Sequence, residues 1–266
     1  MNWHSSRFFP AYSDLEVQPV KKWRYIPFRY YDPYFKTGLN NALMESARET
    51  GEKIIFLSGW ENDCVNIGYS QRIEEEIDIR EAENRGLDIV RRQGGGGTTY
   101  LTRDGEITWG VVAPEKEFPD DVNSIYREIC GEIAGGLSEI GLEGRHEPIN
   151  DIVTVDGKIS GATLKKEDGV IYIGGTLIFE AEVEKMFEVL TPGKEKIADK
   201  DIENFEDRIS SVRKESDASF NETVEALSEG LLKDKNYGED ELKAEEKRRA
   251  QGLADKYRSD EWLYRK

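Results

Sequence analysis

The stretch Arg91–Gly110, RRQGGGGTTYLTRDGEITWG, decides how the chain is expected to fold and where it is expected to bind a ligand. Four glycines, Gly94–Gly97, follow an apolar run and precede a β-prone run, which predicts a loop between two strands. Because glycine has no Cβ atom, the backbone N–H groups of this loop can closely approach a carboxylate, a phosphate or an apolar tail. The neighbouring Arg91 and Arg92 add positive charge. The stretch therefore predicts a site for a small anionic ligand.

Acidic residues outnumber basic residues along the whole chain. The 266 residues include 54 Asp and Glu against 37 Lys and Arg, for a formal net charge of -17. This balance argues against a broad electrostatic footprint on nucleic acid or on an anionic membrane. The acidic excess also suits a halophilic protein, because salt screens the repulsion between the negative charges of the chain. No apolar run approaches the ~18 residues that span a bilayer, and no secretory leader is recognisable, so a cytoplasmic protein is expected.

Cysteine and histidine are scarce. Cys64 and Cys130 are far apart and form no CxxC pair, and the imidazoles are those of His4 and His146. Neither a disulfide framework nor a zinc site is expected, which agrees with a reducing cytoplasm. Cys130 lies on the apolar stripe of a predicted helix. Both thiols are therefore interpreted as core residues rather than as nucleophiles.

Helical and strand patterns predict one α/β domain over residues 23–266 with a helical tail, preceded by an extension over residues 1–22. One predicted helix starts at Pro33 with Asp32 as its cap, and another runs from Pro119 and Asp120 to Gly141. The other predicted helices are Glu74–Arg85, Val183–Leu190, Asn221–Leu232 and Asp240–Tyr257. The predicted strands are Trp23–Phe28, the pair Ile54–Leu57 and Val65–Ile67, Ile107–Val111, a hairpin over Asp151–Thr163 and Val170–Phe179.

Lys158 directly follows the tight turn Asp156-Gly157 of the predicted hairpin. A lysine fixed at this point can present a positive charge into a site, and the following Gly161 and Ala162 leave space for a ligand. The plainer interpretation is a surface lysine of a hairpin. Just before the hairpin, Asn150 and Asp151 could orient a phosphate or a Mg²⁺ ion, or could form only a turn.

Seven motifs, taken in their order and spacing, resemble the lipoate-protein ligase A family, within the superfamily of biotin and lipoate ligases. The motifs are YDPYF at 31–35, VNIGYSQ at 65–71, RRxxGGG at 91–97, NDIV at 150–153, GKISGA at 157–162, GTL at 175–177 and DRIS at 207–210. The match extends from about Tyr30 to Trp262. The resemblance implies an α/β fold whose mixed, largely antiparallel sheet is backed by helices.

The resemblance also implies a two-step reaction and a set of site residues. Lipoate and Mg-ATP would give lipoyl adenylate and pyrophosphate, and the acyl group would then pass to a lysine of a lipoyl-domain acceptor protein. Lys158 would contact the lipoate carboxyl group and the α-phosphate, neutralising the charge that develops there. The residues that would bind substrate or adenylate are Arg92, Gly95, Gly96, Gly97, Asn150, Asp151, Gly161 and Ala162, with Asp151 also a candidate Mg²⁺ ligand. No protein nucleophile is required.

Several positions depart from the family's pattern. Members of the family usually have Ser at the position of Gly94, a His-Asp pair at Leu101-Thr102 and His at Gly174. Since Lys158 and the glycines are retained, these departures bear on ligand preference and turnover more than on the class of reaction. The chain ends where some members of the family continue into a small accessory domain. We therefore expect a catalytic domain without that accessory domain, working with a separate small subunit.

Three alternative functions stay open at this point. An octanoyltransferase would take an acyl chain from acyl carrier protein and would need a reactive thiol in its pocket. One branch of transferases carries that cysteine shortly before the position of Asp151, where this chain has His146-Glu147-Pro148-Ile149. A biotin-protein ligase shares the glycine loop, the lysine and the adenylate chemistry but uses another acid. A non-catalytic lipoyl-protein binding module would keep the fold and the acceptor surface.

Overall fold

The computed structural model describes residues 22–191 and 208–265. The predicted extension, apart from Lys22, and the first residue of the DRIS motif, Asp207, lie outside the described residues. Within the described ranges, no helix is both long enough and apolar enough to cross a membrane.

A mixed sheet of eight strands forms the centre of the fold. Its strands, in spatial order, are β11 (Tyr237–Glu239), β1 (Trp23–Tyr31), β2 (Lys53–Trp60), β6 (Glu106–Pro114), β10 (Val170–Ile178), β9 (Lys158–Glu167), β8 (Asp151–Val153) and β7 (Arg145–Glu147). The first strand, β1, runs parallel to both of its neighbours, and the other adjacent pairs are antiparallel. The predicted α/β fold with a mixed, largely antiparallel sheet is confirmed.

A second sheet of three strands carries the glycine loop. Its strands, in spatial order, are β4 (Asp88–Arg91), β3 (Cys64–Ile67) and β5 (Thr99–Leu101). The glycine loop joins β4 to β5, as predicted. The two predicted strands Ile54–Leu57 and Val65–Ile67 are both present, but they lie in different sheets, because β2 lies between β1 and β6 in the large sheet whereas β3 lies in the small sheet.

Helices cover both faces of the large sheet. One face packs on α4 (Val122–Ser138) and α7 (Phe220–Leu232), and the opposite face packs on α1 (Pro33–Thr50), which in turn packs on α8 (Ala244–Tyr257). The shorter helices are α2 (Ile73–Glu76), α3 (Ile79–Asn84), α5 (Val183–Val189), α6 (Val212–Glu215) and α9 (Asp260–Leu263). The face that packs on α1 is called the α1 face below.

Helix starts were predicted well where one capping residue dominates. The Asp32 carboxylate accepts hydrogen bonds from the backbone N–H groups of Tyr34 and Phe35, so α1 begins at Pro33 as predicted. The prediction for α4 is wrong at its start, because Asp121 caps the helix and Val122 is its first residue.

Two other helix predictions were wrong because strand pairing interrupts them. The single acidic helix over Glu74–Arg85 is two helices, since Ile77 forms a β-bridge with Leu190 and Asp78 then caps α3. The last long helix, α8, begins at Ala244 rather than Asp240, because the chain just before it pairs with β1 as β11.

Candidate functional site

A row of four residues crosses the large sheet on its α1 face. Thr108 of β6 is opposite Thr176 of β10, Thr176 is opposite Gly161 of β9, and Gly161 is opposite Asp151 of β8. Residues directly opposite each other in antiparallel strands present their side chains on the same face. The row is buried at Thr108 and partly exposed at the other three positions, so the sheet surface opens towards β9 and β8.

Lys158 lies at the open end of this row. Its backbone N–H donates to the Arg208 carbonyl at 2.9 Å, and its carbonyl accepts from the Ser210 N–H at 2.7 Å. The DRIS segment therefore fixes the start of β9. The Nζ atom of Lys158 lies 2.7 Å from Oδ1 of Asp151, and the lysine side chain is 40% exposed. An ammonium group held in this way can meet an anionic ligand on the open sheet surface.

Gly161 leaves the space that the Lys158 side chain occupies. A Cβ atom at this position would lie 3.0 Å from both Cε and Nζ of Lys158 and 3.5 Å from Oδ1 of Asp151. Because any larger residue would push against the ammonium group, the glycine allows Lys158 to lie flat across β9. Lys158, Asp151 and Gly161 therefore form one contiguous group on the α1 face.

Asn150 and Ala162 are joined to each other by two hydrogen bonds. The Asn150 side-chain amide donates to the Ala162 carbonyl at 2.5 Å, and the Ala162 N–H donates to the Asn150 carbonyl at 2.8 Å. The methyl group of Ala162 lies in the core under α4. The structure thus differs from the expectation that Ala162 leaves space for a ligand, because alternation along β9 turns its side chain to the opposite face.

The glycine loop presents an exposed backbone. A Cβ atom at Gly94, Gly95 or Gly97 would meet no other atom within 4 Å, and Gly96 has φ = 94°, a conformation that favours glycine. The loop packs closely against Gly68, the residue that follows β3, since a Cβ atom at Gly68 would lie 2.1 Å from the Gly96 carbonyl oxygen. These contacts keep the exposed backbone groups in one place.

The two arginines before the loop have different structural roles. The Arg92 guanidinium donates to the carbonyl oxygens of Gly95, Gly97 and Asn66 at 2.7–3.1 Å, so it supports the loop from within. The fully buried Arg91 donates to the Leu263 carbonyl at 2.7 and 2.9 Å and to carbonyls of the segment after β3. Arg91 therefore anchors the last helix, α9, to the small sheet.

Side-chain hydrogen bonds connect the glycine loop to the α1 face of β9. Gln93, next to the loop, accepts from the Asn41 amide of α1 at 3.2 Å, and the Asn41 oxygen accepts from Lys165 of β9 at 3.1 Å. Lys165 lies four residues after Gly161 on the same strand, so the two share a face at a separation of roughly 13 Å. The structure therefore brings the glycine loop and the Lys158 group to the same side of the sheet.

Both thiols of the chain are buried in apolar clusters. Cys64 and Cys130 are each 0% exposed. Burial raises the pKa of the Cys64 thiol well above its ordinary value and raises the pKa of Cys130 to about 12. A thiol must ionise and reach its substrate to act as a nucleophile, and neither cysteine meets those conditions. The interpretation of both as core residues agrees with this burial.

Metal ligands are sparse around the row. No group of three or more His, Cys, Asp or Glu side chains that could hold a metal ion occurs among residues 22–191 and 208–265. Asp151 supplies a single carboxylate, which already lies against Lys158. Mg²⁺ in nucleotide sites is held largely by substrate phosphates with one or two carboxylates. These residues do not form a protein-made Mg²⁺ cage.

A buried lysine, Lys36, was missed in the sequence. It lies on α1 with its Nζ atom 2.8 Å from Oγ1 of Thr108 and 3.7 Å from the centre of the Trp60 ring. Burial lowers its pKa to about 7. The spacing of Lys36 to Leu39 and Leu43, three and seven residues on, could have revealed its position on the inward stripe of the helix.

With this fold and this site, the chain belongs to the lipoyl protein ligase A/B catalytic domain family, whose profile matches residues 32–232. It is an enzyme of the family that contains lipoate ligases and octanoyltransferases. Octanoyltransferase LipM of Kyrpidia tusciae is 30% identical to it over 277 residues, covering 93% of this chain and 100% of that protein. Octanoyltransferase LipM of Staphylococcus aureus is 28% identical over 280 residues, with coverage of 93% and 100%.

The family resemblance drawn from the seven motifs is thereby confirmed. The names of these relatives agree with the octanoyltransferase alternative rather than with the ligase. Among solved structures, a bi-partite lipoate protein ligase from Thermoplasma acidophilum has a TM-score of 0.80 at 24% identity and covers 92% of this chain and 98% of its own. A lipoate-protein ligase A bound with ATP has a TM-score of 0.78 at 22% identity, with coverage of 92% and 99%. At these identities the structures show a shared fold.

Proposed function

We propose that the protein is an ATP-dependent ligase that activates lipoate as lipoyl adenylate and transfers the acyl group to a lysine of a lipoyl-domain acceptor. The observation that carries the proposal is the pairing of an exposed ammonium group, Lys158, with two fully buried thiols, Cys64 and Cys130. An adenylate is reactive enough for direct attack by a lysine amine, so this route needs no cysteine.

In the proposed mechanism, each site residue takes a role that its position allows. In the first step, a carboxylate oxygen of lipoate attacks the α-phosphorus of ATP, and pyrophosphate leaves. Lys158 offers its ammonium group where negative charge gathers on the carboxylate and the α-phosphate. The backbone N–H groups of Gly95–Gly97 bind phosphate or adenylate oxygens, while Arg92 holds the loop in shape.

In the second step, the acceptor lysine attacks the acyl carbon as a neutral amine. A tetrahedral centre forms, the bond to the phosphate oxygen breaks, and AMP leaves with its electron pair. The amine loses a proton to solvent as the amide forms. Lys158 stabilises the departing phosphate oxygen, and Asp151 keeps the ammonium group in position at 2.7 Å. A Mg²⁺ ion that arrives with ATP would neutralise phosphate charge.

The bi-partite ligase from Thermoplasma acidophilum supports a further part of the proposal, a separate small subunit for the adenylation step. The octanoyltransferase relatives, which align over their full length with this chain, support a single chain instead. Adding a candidate small subunit to the reaction distinguishes these two arrangements.

A second candidate is the octanoyltransferase function, which the names of the relatives favour. Since both thiols are buried, the acyl group would have to pass directly from the donor thioester to the acceptor lysine. Lys158 would then polarise the thioester carbonyl. This candidate predicts acyl transfer that needs no ATP.

Mass spectrometry of a purified lipoyl domain tests the proposal. The domain is incubated with the protein and lipoate, with and without Mg-ATP and with and without a small subunit. Gain of one lipoyl group that requires ATP supports the ligase. Acylation from octanoyl carrier protein in the absence of ATP supports the transferase and contradicts the ligase. Binding of the lipoyl domain without either modification indicates the non-catalytic module.

A further inference from the structure

Two hydrophobic side chains close to Lys158 in the chain are strongly exposed. Val155 is 87% exposed and Ile149 is 65% exposed, the two highest values among the large hydrophobic residues of the described ranges. Val155 lies in the turn between β8 and β9, three residues before Lys158, and Ile149 precedes β8 by two residues. A single exposed hydrophobic residue is common on a protein surface, but two beside one site mark a candidate contact surface.

The Lys158 ammonium group lies beside the strand that connects these two side chains. Ile149 belongs to the β7–β8 connection and Val155 to the β8–β9 connection, so they are at opposite ends of the three-residue strand β8. The ammonium group lies 2.7 Å from the carboxylate of Asp151, the first residue of that strand. Six residues of extended chain span at most about 20 Å, so one partner surface can cover both side chains together with the lysine.

Hydrogen bonds hold both connections in place. The Thr154 N–H donates to the Gly157 carbonyl at 2.9 Å, and the Thr154 hydroxyl donates to the Glu215 carboxylate at 2.6 Å. In the other connection, Nε2 of His146 lies 2.9 Å from the Ile149 carbonyl oxygen. A surface that is already ordered loses little conformational freedom when a partner binds, so these connections suit a docking role.

Most charged groups around the two side chains are paired with each other. The Arg145 guanidinium lies 3.5 Å from the Glu147 carboxylate, and the Lys158 ammonium group lies 2.7 Å from Asp151. The chain as a whole carries a formal net charge of -17. A partner that approaches this end of the sheet therefore meets exposed aliphatic groups among paired charges, which favours apolar contacts over attraction by net charge.

The second step of the proposed reaction determines which partner has to approach this surface. The acceptor amine must reach the acyl carbon beside Lys158. A lysine side chain extends its amine only about 6 Å beyond its Cα atom, so the body of the acceptor must lie directly over the end of the sheet around β8. Ile149 and Val155 belong to the two connections at this end.

We propose that Ile149 and Val155 form the docking surface for the lipoyl-domain acceptor, which meets them with apolar side chains on either side of its target lysine. The proposal rests on the proposed function for the identity of the partner, and the octanoyltransferase candidate uses the same acceptor. Adenylation needs no acceptor. Changes to this surface should therefore weaken acceptor binding and leave the first step of the reaction unaltered.

Calorimetric titration of a purified lipoyl domain into the full chain tests the proposal. In Val155→Asp and in Ile149→Asp, we expect the Kd of the lipoyl domain to rise at least about tenfold, because a carboxylate would be buried in an apolar contact. Lipoate-dependent pyrophosphate exchange should be unchanged in both variants. Val155→Leu keeps an apolar side chain and should keep the Kd. Val122→Asp is the matched control, because it removes a 47% exposed valine at the start of α4, on the sheet face opposite to the Lys158 group.

An unchanged Kd in both aspartate variants overturns the proposal, as does the absence of lipoyl-domain binding by the unaltered protein. Unchanged acceptor binding together with a lost response to a small subunit would assign the surface to that subunit and also overturns the proposal. A raised Kd in the aspartate variants, with no lipoate-dependent exchange by the unaltered protein, supports the docking surface and counts against the proposed function alone.

Discussion

A Cβ atom on Gly161 would lie 3.0 Å from Nζ of Lys158, so any larger residue at this position would push the end of the lysine side chain out of place. The contact joins two residues of one sequence motif through space as well as along the chain. It also explains why the motif GKISGA spaces its lysine and second glycine three residues apart. The position of the Lys158 ammonium group therefore depends on the absence of a side chain at Gly161.

Gly161→Ala should therefore reduce activity without unfolding the protein. The added methyl group displaces the flexible end of Lys158, and a misplacement of ~1 Å in a reacting group costs on the order of 10²-fold in rate. The measurement is the rate of acceptor modification together with the melting temperature. Gly238→Ala in β11 is the control, since a Cβ atom there meets no atom within 4 Å. An unchanged rate in Gly161→Ala would contradict the placement of Lys158 at the reacting centre.

Arg92→Met should weaken nucleotide binding more than it weakens folding. The substitution removes the hydrogen bonds to Gly95, Gly97 and Asn66 that shape the glycine loop. We expect the KM for ATP to rise by about tenfold, with a smaller change in kcat, because the loop contributes to nucleotide binding more than to the chemical step. Arg72→Met is the comparison variant, because it removes an exposed arginine that pairs with Glu75. Its KM for ATP should equal that of the unaltered protein. An unaltered KM in Arg92→Met excludes the loop from nucleotide binding.

Replacing both cysteines by serine should preserve activity and reduce stability. Cys64 and Cys130 are fully buried in apolar clusters, and each unpaired hydroxyl introduced there costs about 1–3 kcal/mol. Urea unfolding measures the loss, and acceptor modification at a temperature where the variant is folded measures the activity. Loss of activity in a folded Cys64→Ser or Cys130→Ser protein would support a thioester route and contradict the ligase mechanism.

Glu106→Gln should change how stability depends on pH. Burial raises the pKa of Glu106 from 4.5 to about 8. The folded protein therefore retains a proton that the unfolded chain loses, and this contribution to stability disappears as pH rises from about 4.5 through about 8. Glutamine keeps an acceptor for the Thr102 N–H and does not titrate. The variant should gain free energy of unfolding relative to the parent between about pH 5 and about pH 8.5.

Urea unfolding at both pH values checks this prediction. Lys36 titrates in a neighbouring range with the opposite sign, because burial lowers its pKa to about 7, but it is present in both proteins. Glu61→Gln, at an exposed position, provides the comparison and should show no such gain. A stability difference that is constant with pH would show that Glu106 ionises normally in the folded protein.

Local signals in the sequence predicted much of the fold. Asp32-Pro33 defines the start of α1, and the turn Asp156-Gly157 defines the hairpin, because each depends on neighbouring residues alone. The errors lie where distant strands decide the outcome. Ile77 interrupts a helical pattern by pairing with Leu190, more than a hundred residues away along the chain.

The candidate site was predictable as a set of motifs but not as a surface. The resemblance named Lys158, Asp151 and Gly161, and the structure brings these residues together. Their roles in catalysis stay predictions. Lys36 was missed because a lysine normally marks a solvated position, and only the packing of α1 on Thr108 reveals that this one is buried.

The most direct test of the central claim is lipoate-dependent exchange of labelled pyrophosphate into ATP, with the small subunit present and absent. We predict exchange that requires lipoate and falls by at least about 10²-fold in Lys158→Ala, since the ammonium group stabilises the charge of adenylation. Lys165→Ala should retain it. No exchange in either arm, together with ATP-independent transfer from octanoyl carrier protein, would contradict the ligase and establish the transferase.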